Sequence, residues 1–364
     1  MNQSLLIVYS NLGLGGIPKQ IVDIVNEMGK SRPTTTIYIL LKKHRDFDLR
    51  TTITNPRVII KDFYSWSPID SAFLFMLWVW VLIFAQNPSA ILSFISPYAL
   101  TVLATKVLLF WRKTKIIIKE DHFTSTIIQS MALPNIQCLG IKVLYPLADI
   151  IITPTKAVKR DLIYSYHLPP KKIEIVQNWS TYAKTRLSGI KRIYDLIYIG
   201  RMDKTKNILP LIKIAHTIIK LDKPRLTFLL VGDGPDMPQC IEYISTHRLQ
   251  NSISMLPPVP DVSAYLKKTK VLIFNPDMKT EGFPVSILDA MACGTVVITK
   301  KFSGIDDVIN KTNGYTVSTD QEMKKNILSV LNHYTRQQSI IKLAKRHVWH
   351  HNSLDNIRSY MRFL

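Results

Sequence analysis

Short apolar runs rich in Ile, Val and Leu alternate with longer stretches whose apolar positions recur at helical spacing. In the first half the runs Leu5–Tyr9, Thr36–Leu41, Val58–Ile60, Ile91–Phe94, Ile116–Lys119, Ile150–Thr153 and Ile173–Val176 predict strands. Pro18–Gly29, Asp70–Ala85, Pro97–Phe110 and Lys156–Tyr166 predict helices between them. The pattern then restarts. Asp195–Ile199, Thr227–Val231, Ile253–Met255, Val271–Phe274 and Val296–Thr299 read as strands. Asn207–Leu221, Pro238–His247, Val262–Lys268, Val285–Cys293 and Gln321–Tyr334 read as helices. Such alternation implies parallel sheets with helices on both faces. The fold class expected is α/β, with two doubly wound Rossmann-like domains facing a central cleft. The polar stretch Asn178–Ile193 marks the joint. Residues 1–180 form the first domain, 181–345 the second, and 346–364 a terminal helix expected to pack back on the first. Ligands of doubly wound sheets bind beyond the carboxyl ends of the strands, so the chemistry is sought there.

One stretch departs from this pattern. Ala72–Ala85, AFLFMLWVWVLIFA, is apolar all round. It is shorter than the roughly 20 residues that span a bilayer, so it predicts a buried or membrane-facing helix. The opening residues lack a basic segment, and Leu5–Tyr9 is too short for the core of an export signal; a buried first strand is expected. Composition is that of a globular chain: 47% hydrophobic and 20% charged over 364 residues. The balance of charge is not ordinary. Lys and Arg number 47 against 26 Asp and Glu, a net +21, shared between both halves. That points to an anionic partner: a membrane surface, phosphorylated ligands or nucleic acid. No nucleic-acid-binding motif accompanies the charge. Cys138, Cys240 and Cys293 are too few and too scattered for a disulfide framework or a zinc site, which fits a reducing cytoplasm.

Candidate chemistry sits just after strands. The first turn, Asn11 to Pro18, carries Gly13, Gly15 and Gly16, which let backbone N–H groups approach a phosphate or sugar. It is not a dinucleotide fingerprint, because Pro18 stands where the third glycine belongs and Lys42-Lys43 replaces the ribose-binding acid. His122, after the fifth strand, is placed to donate to a sugar hydroxyl or oxyanion; a helix-capping Asp121 with an incidental His122 is the other reading. Gly200-Arg201 through Lys206 offers a guanidinium fork and a mobile ammonium, a pair suited to a diphosphate. Gly232-Asp233-Gly234-Pro235 is a tight turn at a strand end, and such dipeptides mark many loops. Thr280 to Gly294 opens a helix after Pro284, with Glu281 and Asp289 able to accept pairs of hydroxyl hydrogen bonds. Asp46-Phe47-Asp48 offers too few ligands for a metal, and His347, His350 and His351 read as part of a basic helix.

Together these residues resemble the retaining GT-B glycosyltransferases often called family 4. The matching blocks are Gly200–Lys206, Val231–Pro235 and Glu281–Val297, with Gly15-Gly16, His122, Ala148 to Lys156 and Ile175–Asn178 upstream. The resemblance implies that Arg201 and Lys206 bind the donor diphosphate and that Glu281 contacts the donor sugar. It implies that the backbone of Gly282, Phe283 and Pro284 holds sugar and phosphate, and that Asp289 meets the ribose. Gly15 and Gly16 would line the cleft, and His122 would contact the donor sugar near the reacting carbon. It also implies retention by same-face substitution, with the leaving phosphate helping to deprotonate the acceptor and no metal or other cofactor required. Four positions depart from the family pattern. Asp289 replaces a glutamate, Ile17-Pro18-Lys19 replaces A-E-R, Pro258 replaces a glycine, and Thr295 replaces a proline.

The expectation is a hexosyltransferase using a nucleotide-diphosphate sugar, with a uridine diphosphate sugar as the commonest family choice. The acceptor expected is a saccharide, lipid-linked, in cell-surface polysaccharide or lipopolysaccharide assembly. The basic charge and the aromatic stretch Tyr64–Phe84, with Trp66, Trp78, Trp80 and Trp111, place it on the anionic inner face of the plasma membrane. A non-catalytic sugar-nucleotide-binding scaffold and a nucleotide-sugar epimerase share the fold and stay open as alternatives.

Overall fold

A computed structural model describes residues 4–42, 48–63, 71–109, 111–131, 133–186, 189–278 and 281–364, with the side chains of 71–73 set aside. The chain forms two units. One holds the residues up to Gln177 together with Ile357–Leu364, and the other spans Asn178–Asn356.

In the first unit the β-branched runs become strands close to where the pattern puts them. In order come β1 (Ser4–Tyr9), α1 (Gly16–Ser31), β2 (Thr36–Leu41), β3 (Val58–Asp62), α2 (Ser71–Gln86), β4 (Ala90–Phe94) and α3 (Ser96–Leu108). Then follow β5 (Lys115–Lys119), α4 (Thr124–Gln129), α5 (Pro134–Leu144), β6 (Ile150–Thr153), α6 (Lys156–Tyr166) and β7 (Ile173–Ile175). The seven strands are parallel, in the order β3-β2-β1-β4-β5-β6-β7. Alternate residues serve opposite faces of a strand. Leu6, Val8, Ile91 and Ile116 pack under α2, α3, α5 and α6, where Phe75, Val79, Leu103, Ile141 and Leu162 complete one core. Helix α1 buries Ile17, Ile21, Ile24, Val25 and Met28 at helical spacing.

The second unit repeats the plan. It runs β8 (Tyr194–Ile199), α7 (Ile208–Leu221), β9 (Phe228–Val231), α8 (Met237–Thr246), β10 (Ile253–Leu256), α9 (Ser263–Leu266) and β11 (Thr269–Phe274). It ends with α10 (Val285–Ala292), β12 (Val296–Lys300), β13 (Tyr315–Val317), α11 (Asp320–Asn332) and α12 (Gln338–His351). Its parallel order is β10-β9-β8-β11-β12-β13. In both sheets the order reverses beside the first strand, between β1 and β4 and between β8 and β11. That is the place where doubly wound sheets bind ligands.

A last helix, α13 (Asp355–Met361), puts Ile357, Tyr360 and Met361 into the first unit's interior. Arg32, just past α1, donates from Nη2 to the Met361 carbonyl at 2.7 Å.

Several expected elements shift. The helix expected at 262–268 shrinks to α9. Helices α4 and α5 and strand β13 were not anticipated. The stretch 178–193, read as a solvated joint, begins with Asn178, Trp179 and Ser180, all buried.

Candidate functional site

The loop after β8 is held by the loop after β9. Gly200 N–H donates to the Val231 carbonyl at 3.1 Å, Met202 N–H to the Asp233 carbonyl at 2.6 Å, and Asp236 N–H to the Met202 carbonyl at 2.9 Å. Only glycine allows this approach. Gly232 and Gly234 have φ of +148° and +151°, which side chains disfavour. A Cβ on either would fall far inside 3.0 Å of the carbonyl oxygen of Gly200 or Met202. The Gly-Asp-Gly turn is therefore a steric requirement of the site rather than a loop marker.

The clamp presents two cations. Lys206 pairs with Glu281, and its ammonium lies 5.7 Å from the centre of the Phe274 ring. Burial pulls the Lys206 ammonium down to about 8. Arg201 is 65% exposed and reaches Asp203 at 3.2 Å, so its fork is available to a ligand. Its carbonyl accepts from the Tyr198 hydroxyl at 2.8 Å. The loop after β11 is tied in as well, because Asp277 N–H donates to the Thr205 carbonyl at 2.8 Å. Loops from both sides of the second sheet's switch point thus converge on Lys206 and Glu281.

Helix α10 starts three residues after Glu281. Gly282 and Phe283 are buried and Pro284 caps the helix in extended conformation. Pro284 has no N–H, so the donors left at this end are Phe283, Val285 and Ser286. Asn178 Nδ2 fixes the turn by donating to the Phe283 carbonyl at 3.1 Å. The other end closes on Gly294 at φ +69°, with Thr295 N–H donating to the Ala290 carbonyl at 2.9 Å. Thr295 also donates from its hydroxyl to the Leu266 carbonyl at 2.7 Å, a bond that a proline there would forfeit. Asp289 is buried on the second turn and accepts from Ser180 Oγ at 2.6 Å. Ser180 and Asn178 are the contributors that sequence reasoning missed. Their polar neighbourhood hid them, and no short-range signal marked them as buried.

In the first unit Gly15 caps α1 and Gly16 opens it, both exposed. Gly15 has φ −176°, which any residue adopts, so openness rather than backbone strain is what it contributes. Strain lies elsewhere: Ile95, at the end of β4 beside the switch point, has φ +58°, costly for a β-branched residue. Its N–H donates to the Lys119 carbonyl at 2.9 Å. Lys119 is wholly buried and pairs with Asp121, and its ammonium faces the Phe94 and Tyr360 rings at 5.9 Å each. Glu120 accepts from the Tyr145 hydroxyl and from Thr124 Oγ1, and burial pushes its carboxyl up to about 8. His122 follows this buried triplet and is half-buried. The structure thus sets Gly15, Gly16 and His122 on one unit and Arg201, Lys206, Glu281 to Pro284 and Asp289 on the other.

Asp46 and Phe47 lie outside the described residues, as do Lys43, Trp66 and Thr280. Asp48 caps the short turn at Leu49–Thr52 and pairs with Arg50. Among the described residues no group of three or more His, Cys, Asp or Glu side chains is placed to hold a metal ion.

Residues 188–347 match the family described as glycosyl transferases group 1. The chain is 26% identical over 224 residues to N-acetylgalactosamine-N,N'-diacetylbacillosaminyl-diphospho-undecaprenol 4-alpha-N-acetylgalactosaminyltransferase of Campylobacter jejuni, covering 59% of each chain. It is 26% identical over 170 residues to a phosphatidylinositol N-acetylglucosaminyltransferase of Arabidopsis thaliana, covering 45% of this chain and 38% of the relative. The chain thus spans less than two thirds of the length of these curated relatives. Anabaena HepE in complex with UDP and glucose superposes with a TM-score of 0.79 at 15% identity, covering 99% of this chain and 98% of that one. Residues 188–347 are a glycosyl transferases group 1 domain, and the chain has the GT-B fold.

Proposed function

We propose that the protein transfers a sugar from a nucleotide-diphosphate sugar to a saccharide acceptor. The observation that carries this reading is the convergence of Lys206, Glu281 and exposed Arg201 on the N-terminal end of α10 at a switch point. When the donor's anomeric C–O bond breaks, negative charge grows on the β-phosphate. Arg201, Lys206 and the N–H groups of Phe283, Val285 and Ser286 are oriented donors for that charge. Glu281 accepts from the donor sugar's hydroxyls, and Asp289 serves the ribose. His122, with Gly15 and Gly16, serves the sugar and acceptor from the first unit.

The reaction is read as retaining: the acceptor oxygen bonds to the anomeric carbon on the face the phosphate leaves, and its proton passes to the departing β-phosphate oxygen. No metal is assigned a part, because the cations named meet the diphosphate charge. The donor is read as a uridine diphosphate sugar, supported by the UDP in the HepE complex. A lipid-linked acceptor is supported by the diphospho-undecaprenol and phosphatidylinositol in the relatives' names. The setting is then cell-surface polysaccharide or lipopolysaccharide assembly on the cytoplasmic leaflet, where +21 of charge meets anionic lipid.

A thermal-shift panel of nucleotide sugars tests the reading. Stabilisation by one of them, lost in both Lys206→Ala and Glu281→Ala, supports it. A donor that stabilises both variants as well as the parent would overturn these assignments.

A further inference from the structure

Helix α2 is neither a span nor a wholly buried element. Phe75, Val79 and Ile83 enter the core, while Leu74, Leu77, Val81 and Phe84 lie exposed at helical spacing on its other side. Among the described residues no helix is long and apolar enough to cross a membrane. The same inversion occurs on α5. Ile141 is its buried residue, and Ile136, Leu139 and Val143 are each about 60% exposed. Between these helices, the end of α3 adds Val107, Leu108 and, just beyond, Trp111, also exposed.

The three helices lie side by side over one face of the first sheet. Gly140 of α5 packs so closely on α3 that a Cβ there would come to 3.2 Å from Leu100. Arg112, past α3, stacks its guanidinium 5.1 Å over the ring of Phe84 at the end of α2. Residues 74–147 hold twelve of the twenty-two large apolar side chains that are exposed among the described residues. That is over half of them on about a fifth of the chain. A contiguous exposed apolar surface of this kind marks an interaction site.

Charge chooses the partner. Residues 71–148 contain six basic and two acidic residues. Both acidic ones, Glu120 and Asp121, are buried, as is Lys119. What faces solvent over this stretch is therefore of one sign: Lys106, Arg112, Lys113, Lys115 and Lys142. Apolar side chains and stacked aromatics within a basic rim match the layers of an anionic bilayer, acyl chains beneath phosphate headgroups. Lys142 stands between Leu139 and Val143 on α5, where its stem can lie along apolar surface while its ammonium reaches headgroups.

We propose that the outward side of α2, α3 and α5 is the surface by which this protein lies on an anionic lipid bilayer. The proposal builds on the membrane setting read above and fixes the face that makes the contact. It moves the contact away from the aromatic stretch 64–84 alone, because Trp78 and Trp80 pack against the core instead.

The test is co-sedimentation of the full chain with phosphatidylcholine vesicles, with and without phosphatidylglycerol, at low and high salt. Leu139→Glu with Val143→Glu, Lys113→Gln with Lys142→Gln, and the control Ile241→Glu on α8 are compared with the parent. Binding is expected to require phosphatidylglycerol, to weaken with salt, and to fall about fivefold for each lysine neutralised. It should be lost in the double glutamate variant and unchanged in the control. Equal binding by all variants, or none by the parent, overturns the proposal. So does a parent dimer in analytical ultracentrifugation that Leu139→Glu with Val143→Glu dissociates while vesicle binding persists; the face would then join two copies. Donor-induced thermal shifts, recorded on the same samples, separate the two readings. Vesicle binding without any donor shift supports the docking face and overturns the transferase reading.

Discussion

Replacing Gly232 by alanine tests whether the two loops of the second unit's site are held by a close backbone approach. Two costs add. The residue's φ of +148° lies in a region left almost wholly to glycine, a penalty of about 1–3 kcal/mol for a side chain. The new Cβ would also overlap the Gly200 carbonyl oxygen, so the loops must part by about 1 Å. Parting them weakens the bonds from Gly200 to Val231 and from Met202 to Asp233, each worth about 1 kcal/mol. The sum is about 3–5 kcal/mol, which for a unit of this size lowers Tm by roughly 6–20 °C. Gly189→Ala is the control. Gly189 also has positive φ, +75°, but a Cβ there meets nothing within 4 Å. Differential scanning calorimetry with and without donor reads both effects. Arg201 sits on the displaced loop, so Gly232→Ala should lose donor stabilisation as well as Tm, whereas Gly189→Ala should keep the first. If Gly232→Ala melts no lower than Gly189→Ala and still answers to donor, the clamp has no part in the site.

Donor affinity should fall as pH rises through about 8, where Lys206 gives up its proton, and Lys206→Arg should flatten that profile in a titration of donor binding. Glu120 titrates near 8 when folded and near 4.5 when unfolded, so the unfolded chain binds fewer protons between those values and stability declines as pH rises across them. Glu120→Gln should match the parent below pH 4 and exceed it by up to about 4 kcal/mol at pH 8, measured by denaturant unfolding. Transfer activity, once a donor is identified, should survive EDTA undiminished; loss restored by a divalent cation would refute the metal-free reading.

The sheets were legible because their strands are buried on both faces and written as continuous β-branched runs. Thr36–Leu41 and Ile150–Thr153 coincide residue for residue with β2 and β6. Helix α5 was not, since its apolar side chains mostly face outward and leave Ile141 as the buried position. Strand β13 is three residues long and pairs only with β12, too little pattern to stand out. The site was uneven in the same way. Local motifs located Arg201, Lys206 and Glu281, but the need for glycine at 232 and 234 comes from a neighbouring strand's loop, which no local window contains. Ser180 and Asn178 were hidden for the same reason: their partners, Asp289 and Phe283, are more than a hundred residues away.

The seating of α13 in the first unit has a consequence for biosynthesis. That unit is assembled from two pieces of chain separated by the whole of the other unit. Its interior lacks Tyr360 and Met361 until the ribosome has passed them, some ten to forty seconds after residue 177 at about 5–20 residues per second. The second unit is continuous and can finish first although it is made later. A nascent chain arrested between its end and α13 should present a protease-resistant second unit beside an incomplete first one.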